Sequence, residues 1–116
     1  MTEKIFKALC SSSFSFSTER GLQDGIARAL KAAGVPFARE APLSAADVPD
    51  FMCGAVAVEV KIKGSLADVT RQLHRYAQHP EVEEIVLVTT RAAHTRASRR
   101  VNGKPVHVHF IVSSAF

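Results

Sequence analysis

The chain is poor in features that would place it in several common classes. It has only two cysteines, Cys10 and Cys53, in 116 residues. They are too few and too oddly placed for a disulfide framework, and neither belongs to a Cys-x-x-Cys pair, which excludes a zinc ribbon. Both are expected to be reduced thiols of a cytoplasmic protein. No stretch approaches the roughly 20 apolar residues of a membrane span. Met1 to Leu9 carries Glu3, Lys4 and Lys7 and lacks the apolar run of a secretory signal. There are no internal repeats and no long linker, so a single domain over 1–116 is expected.

What is present is an ordinary globular composition, 47% hydrophobic, enough for one core. Lys and Arg number 15 against 11 Asp and Glu, a net charge of +4. That balance permits a polyanionic partner without requiring one.

Residues 1–16 show little periodicity. Phe14 and Phe16 alternate with serines, which suits a short strand or a docked arm and points to packing rather than base stacking. From Ser17 the pattern turns helical. Ser17 or Thr18 can cap, Leu22, Ile26, Ala29, Leu30 and Ala33 follow at helical spacing, and Gly34 and Pro36 end the segment. Phe37 to Leu43 suits a first strand. Pro49–Met52 and Ala55–Lys63 suit two more, joined at Cys53-Gly54. Ser65 and Asp68 form a capping box for a second helix with Leu66, Val69, Leu73, Tyr76 and Ala77 on its apolar face. Glu84 to Thr90 suits a buried strand. A basic connection, Arg91 to Arg100, then leads through an Asn102-Gly103 turn to a last strand, Pro105 to Ser113. The order α, β, β, β, α, β and a further β implies an α/β fold around a mixed sheet flanked by helices.

Strand alternation sets Val56, Val58, Val60 and Ile62 on one face and Ala57, Glu59, Lys61 and Lys63 on the other. A two-residue turn at Cys53-Gly54 pairs Asp50 with Ala57, which places Asp50 diagonally beside Glu59. A three-residue loop would put it on the opposite face. Two neighbouring carboxylates repel, and one tends to keep a proton. Mg²⁺, which prefers oxygen ligands, relieves that conflict and is suited to phosphodiester cleavage. Lys61 stands where it can orient a water or stabilise negative charge. The competing reading of Glu59 and Lys61 is a solvated strand face with a salt bridge. Glu19 lies near the apolar face of the first helix as a further ligand, direct or through water, or simply favours the helix dipole. Gln72 sits on the inner face of the second helix, positioned for a water or a phosphate oxygen, or is a boundary polar residue.

The segment Pro49 to Lys61, PDFMCGAVAVEVK, resembles the PD-(D/E)xK nuclease motif. Pro49-Asp50 stands for its first half and Glu59-Val60-Lys61 for its second. Glu19 matches the first-helix acid common in that superfamily, and QLHRY, Gln72 to Tyr76, is similar to the QxxxY motif of its RecB-like and VRR-NUC-like members. The resemblance covers about Thr18 to Thr90. It implies a restriction-endonuclease-like αβββαβ core and Mg²⁺-dependent hydrolysis, with Mn²⁺ as substitute. Asp50, Glu59 and the Val60 carbonyl are the implied metal ligands, and Lys61 the catalytic lysine. The compact size resembles small Holliday-junction resolvases and stand-alone phage-type VRR-NUC proteins, and no motif chooses between them.

DNA is the expected partner, branched or structured rather than read by sequence, with RNA not excluded. Lys63, Arg71, Tyr76, Arg91, Arg96, Arg99, Arg100 and Lys104 are the candidate nucleic-acid contacts. For the basic run the plain alternative is a solvated loop. Tyr76 also suits a core position with its hydroxyl at the rim. His107 and His109 share a strand face but lack a third ligand, and they, His74 and His79 are read as surface residues. A homodimer would hold two strands, with Phe110 to Phe116 and the Ser/Phe arm as candidate interface. The alternative function is a non-catalytic nucleic-acid-binding or assembly module on the same fold.

Overall fold

A computed structural model describes residues 1–112. Helix α1 (Thr2–Cys10) precedes α2 (Glu19–Ala32), β1 (Ala38–Arg39), β2 (Phe51–Cys53) and β3 (Val56–Lys61). Then come α3 (Leu66–Ala77), β4 (Glu84–Thr89), a 3₁₀ turn (Ala92–Arg96), β5 (Arg100–Val101) and β6 (Lys104–Phe110). The six strands lie in the order β1-β2-β3-β4-β6-β5, and the sheet is mixed. β3, β4 and β6 are parallel neighbours, while β1, β2 and β5 pair antiparallel. The fold is therefore α/β with helices on both faces of the sheet. No described helix is long and apolar enough to cross a membrane.

The alternation of β3 decides the layers. Val56, Val58 and Val60 pack with Val86 and Val88 against Ile5 and Leu9 of α1 and Leu22, Ile26 and Leu30 of α2. Ala57 packs with Ile85, Leu87 and Val106 against Val69, Leu73, Tyr76 and Ala77 of α3. Both helix caps act as the sequence implies. Thr18 accepts from the Gly21 N–H at 3.0 Å, and Ser65 accepts from the Asp68 N–H at 3.1 Å.

Three elements differ from expectation. Residues 1–16 show little periodicity, yet Thr2–Cys10 forms helix α1, with Ile5, Ala8 and Leu9 buried at helical spacing. It is a short helix with no side-chain cap, held by its packing on α2 and the sheet. The first strand shrinks to two residues because the chain turns at Glu40, whose φ of 49° leaves the extended region. The Ser/Phe stretch is a docked arm, not a strand. Phe14 and Phe16 pack against the core, and an added Cβ on Gly25 would lie 3.0 Å from the Phe14 ring. Of the expected interface segment Phe110 to Phe116, residues 113–116 lie outside the described residues, and Phe110 is 41% exposed.

Candidate active site

The β2–β3 hairpin turns at Gly54-Ala55 rather than at Cys53-Gly54. Cys53 pairs with Val56, Met52 with Ala57 and Phe51 with Val58. Gly54 has φ of 59° and Ala55 does not enter the positive region, the pattern of a type II′ turn. Burial explains the shift: Cys53 is fully buried beside Val56, and placing it in the turn would expose it. Because each strand moves by one residue, the faces are preserved. Continued by one position, the register sets Asp50 directly opposite Glu59 instead of diagonal to it.

β3 outruns β2 at this end, so its edge needs other partners. The Val60 N–H donates to Asp50 Oδ2 at 2.7 Å, and the Ile62 N–H donates to Glu19 Oε1 at 3.2 Å. Two carboxylates thus cap the exposed edge of one strand. In an antiparallel ladder a residue's N–H and C=O point to the same side, so the Val60 carbonyl faces the same edge. The register would bring Pro49 opposite Val60, and proline has no N–H with which to occupy that carbonyl.

Glu59 lies at the centre and is only 3% exposed. Its Oε1 accepts from the Asp50 N–H at 3.2 Å and from the Tyr76 hydroxyl at 3.1 Å. Its Oε2 faces the Lys61 ammonium at 3.5 Å. Gln72 Nε2 donates to the Tyr76 oxygen at 3.1 Å, which orients the hydroxyl. Burial, then the charge of Asp50, pushes the Glu59 carboxyl up to about 7. Burial also pushes Asp50 up to about 6, with the Glu19 charge adding to it against the Val60 hydrogen bond. Burial beside Glu59 drives the Tyr76 phenol far upward, so it stays a donor.

Beside this pair lies a cleft of about 290 Å³ lined by Lys61, Lys63, Arg71, Gln72 and Arg75, with Asp68 as its one acidic wall. Arg71 pairs with Asp68, and Arg75 with Asp47 at 3.0 Å. The cleft opens at the carboxyl ends of the parallel strands, where Lys61 is level with Thr89. Arg91, two residues beyond Thr89, is exposed at that same end, and Arg96 is exposed at the close of the 3₁₀ turn.

Other expected nucleic-acid contacts are not brought there. Tyr76 is 1% exposed and has no surface to offer a ligand; burial of its ring in the α3 core turns its hydroxyl onto Glu59. Arg100 and Lys104 stand at the opposite end of the sheet, five to six residues or roughly 20 Å back along β6 from the level of the site. The Arg100 guanidinium donates to the Gly103 carbonyl and the Lys104 ammonium to the His79 carbonyl. Arg99 is tied back to the carbonyls of Ala97 and Thr95. Two of the histidines read as surface residues are paired: His107 meets Glu84 at 2.8 Å and His79 meets Asp47 at 2.8 Å.

Two participants escaped the sequence reading. Asp47 is 8% exposed and bridges Arg75 and His79. His94 is fully buried, with Nδ1 2.7 Å from the Thr89 hydroxyl and Nε2 2.8 Å from the Gly64 carbonyl. Nothing in their local sequence distinguishes either one, since Arg75 and His79 lie 28 and 32 residues from Asp47 and Gly64 lies 30 from His94.

Among the described residues no three His, Cys, Asp or Glu side chains form a metal-binding group. Glu19 is near enough for its charge to act on Asp50, but one of its oxygens serves Ile62. Comparison with protein-family models, curated proteins and solved structures finds no match to this chain.

Proposed function

We propose that this site hydrolyses nucleic-acid phosphodiester bonds, DNA first among them, with Mg²⁺ or Mn²⁺ as cofactor. The framework is then a restriction-endonuclease-like one of the PD-(D/E)xK kind, and the run α2-β1-β2-β3-α3-β4 supports that reading. The observation that carries the proposal is the facing of Asp50 and Glu59 beside Lys61, which lines a cationic cleft. Structural hydrogen bonds use one oxygen of each carboxylate. Among the described residues, Asp50 Oδ1 has no donor, and Glu59 Oε2 has only the Lys61 ammonium at 3.5 Å.

These two oxygens and the Val60 carbonyl are the atoms that would hold the ion, with Glu19 acting through water. Two carboxylates are an ordinary protein contribution to a Mg²⁺ site, which keeps several waters. When bound, the ion polarises the phosphate and makes an attacking water more acidic. The chain's own groups do the remaining work. Lys61 neutralises charge developing on the phosphate. Gln72, its amide nitrogen engaged by Tyr76, has its carbonyl oxygen left to accept from a water in the cleft. Lys63, Arg71 and Arg75 hold flanking phosphates, and Arg91 and Arg96 extend that surface. So small a domain has little area for reading sequence, so structured or branched DNA held by a homodimer is the substrate arrangement we favour.

The second reading is a non-catalytic nucleic-acid-binding or assembly module. The cationic lining of the cleft, which needs no metal to hold phosphates, favours it. Incubating plasmid and branched DNA with Mg²⁺ separates the two readings. Cleavage by wild type that disappears with chelator and in Glu59→Ala supports the nuclease. Identical behaviour of wild type and Glu59→Ala removes it.

A further inference from the structure

Asp50 is carried at the end of an irregular stretch, residues 40–50, which lies between two very short strands. Such a stretch needs fastening if its last residue is to stay opposite Glu59. Among the described residues, the fastening is concentrated at Asp47. Its carbonyl accepts from Leu43 at 2.8 Å and Ser44 at 3.3 Å, and its N–H donates to Ser44 Oγ at 3.2 Å, closing the stretch on itself. Its carboxylate reaches outward. Oδ1 accepts from Arg75 Nε at 3.0 Å and Oδ2 from His79 Nε2 at 2.8 Å.

Both donors belong to the last turn of α3 or lie just beyond it. The next residue, Val48, presents its carbonyl 3.3 Å from the Tyr76 hydroxyl, between them in sequence. Tyr76 is also the residue whose hydroxyl meets Glu59. Pro49 follows with its restricted φ, so little slack separates the fastening from Asp50. The end of α3 therefore holds both carboxylates, Glu59 through Tyr76 and Asp50 through Asp47. The His79 hydrogen bond, with Arg75, keeps the Asp47 carboxyl below the usual carboxylate range, so it is charged whenever the site would work.

We propose that Asp47 is a positioning residue, whose carboxylate latches residues 40–50 onto α3 and so keeps Asp50 against Glu59. Its importance for catalysis rests on the nuclease reading above. The latch itself is tested without metal or substrate. The Val60 N–H is held by the Asp50 carboxylate and the Glu40 N–H by the Asp50 carbonyl, so their hydrogen exchange reports where Asp50 is. Two variants cut the latch from opposite sides, Asp47→Asn within the loop and His79→Ala outside it. In both, exchange at Val60 and Glu40 should quicken by about 10-fold while the core amides of Val58 and Leu87 keep their rates. Unchanged exchange at Val60, or equal acceleration at Val58 and Leu87, overturns the latch. Mn²⁺ affinity, read by electron paramagnetic resonance, should fall about 10-fold in both variants, as for other residues that orient ligands. Unaltered affinity in the variants overturns the positioning role. A wild-type protein that binds no Mn²⁺ instead removes the metal reading, and the exchange at Val60 still decides the latch.

Discussion

The Asp50 N–H donates to Glu59 Oε1 at 3.2 Å, while the Asp50 carboxylate accepts from the N–H of Val60, one residue beyond Glu59. Each acid is thus fixed by the other's strand, and neither can turn away to water. That arrangement forces two negative charges into a largely buried space, and burial has lifted both carboxyls above their ordinary ranges. Such a site is costly to charge and gains from a cation.

The stability of the protein should therefore fall as the pH rises through the site's titration. Unfolded, the two groups lose their protons near 3.8 and 4.5; folded, they hold them to about 6 and about 7. A raised folded pKa contributes stability that is fully present below pH 4 and is lost as the pH passes 6 and then 7. Lifting one carboxyl's pKa by a single pH unit corresponds to about 1.4 kcal/mol, and these two neighbours share the effect because each opposes the other's charge. Thermal unfolding followed between pH 5 and 8 in chelator should show a falling midpoint. At pH 8, millimolar Mg²⁺ or Mn²⁺ should restore several degrees, and little at pH 5. A midpoint indifferent to divalent ions at pH 8 counts against the metal site.

Glu59→Gln should separate stability from binding. The amide oxygen can still accept from Asp50 and Tyr76, so the local hydrogen bonds survive. The buried charge of Glu59 is gone, and Asp50 ionises with only the Glu19 charge left to oppose it. Denaturant unfolding at pH 8 without metal should show a gain of about 1–2 kcal/mol, with loss of the stabilisation by Mn²⁺. A variant less stable than wild type at pH 8 would mean that Glu59 is held as a structural ion pair with Lys61.

The basic residues should divide into two groups. Lys63 and Arg71 line the cleft beside Lys61, whereas Arg100 and Lys104 serve carbonyls at the far end of the sheet. Lys63→Ala and Arg71→Ala should each weaken DNA binding and reduce the salt dependence of log Kd by about 1. Arg100→Ala should leave the salt slope unchanged. Fluorescence anisotropy with a branched DNA, from about 50 to 200 mM salt, reads all three. An equal loss in slope for Arg100→Ala would move the binding surface to the other end of the sheet.

The sequence disclosed the parts of this site that obey local rules. Alternation in Val56–Lys61 sets Glu59 and Lys61 on the face opposite the valines, which the structure covers with α3, and the Ser65 cap locates α3, so Gln72 and Tyr76 fall on its inner side. The turn was misplaced by one residue because Cys53 and Gly54 both look like turn material, and only the buried surroundings of Cys53 decide between them. α1 leaves little trace in the sequence because nine residues without a cap carry little periodic signal, and its stability comes from contacts with α2 and the sheet. Asp47 and the basic connection were opaque for a different reason. Whether a charged residue binds a ligand or a neighbouring carbonyl depends on residues distant in sequence, which strand order alone brings near.

His94 supplies the most demanding test of how the cleft is held. It follows β4 within the 3₁₀ turn, fully buried, and joins two segments that pairing does not join. A carbonyl can only accept, so Nε2 carries a proton and donates to Gly64. Nδ1 lies 2.7 Å from the Thr89 hydroxyl, whose oxygen accepts from the Arg91 N–H at 3.0 Å. Both ring nitrogens have a partner, and the chain following Lys61 and Lys63 is pinned to the end of β4. His94→Ala removes both hydrogen bonds and leaves a cavity, with an expected loss of about 3 kcal/mol. Thr89→Val keeps the volume and strands only the two polar partners, at about 1–3 kcal/mol. Because the pinned Gly64 borders the cleft, both variants should also weaken DNA binding at temperatures well below their unfolding midpoints. Urea denaturation and anisotropy on the same samples decide this. Full affinity in a destabilised His94→Ala would show that the Gly64 turn holds its shape unaided.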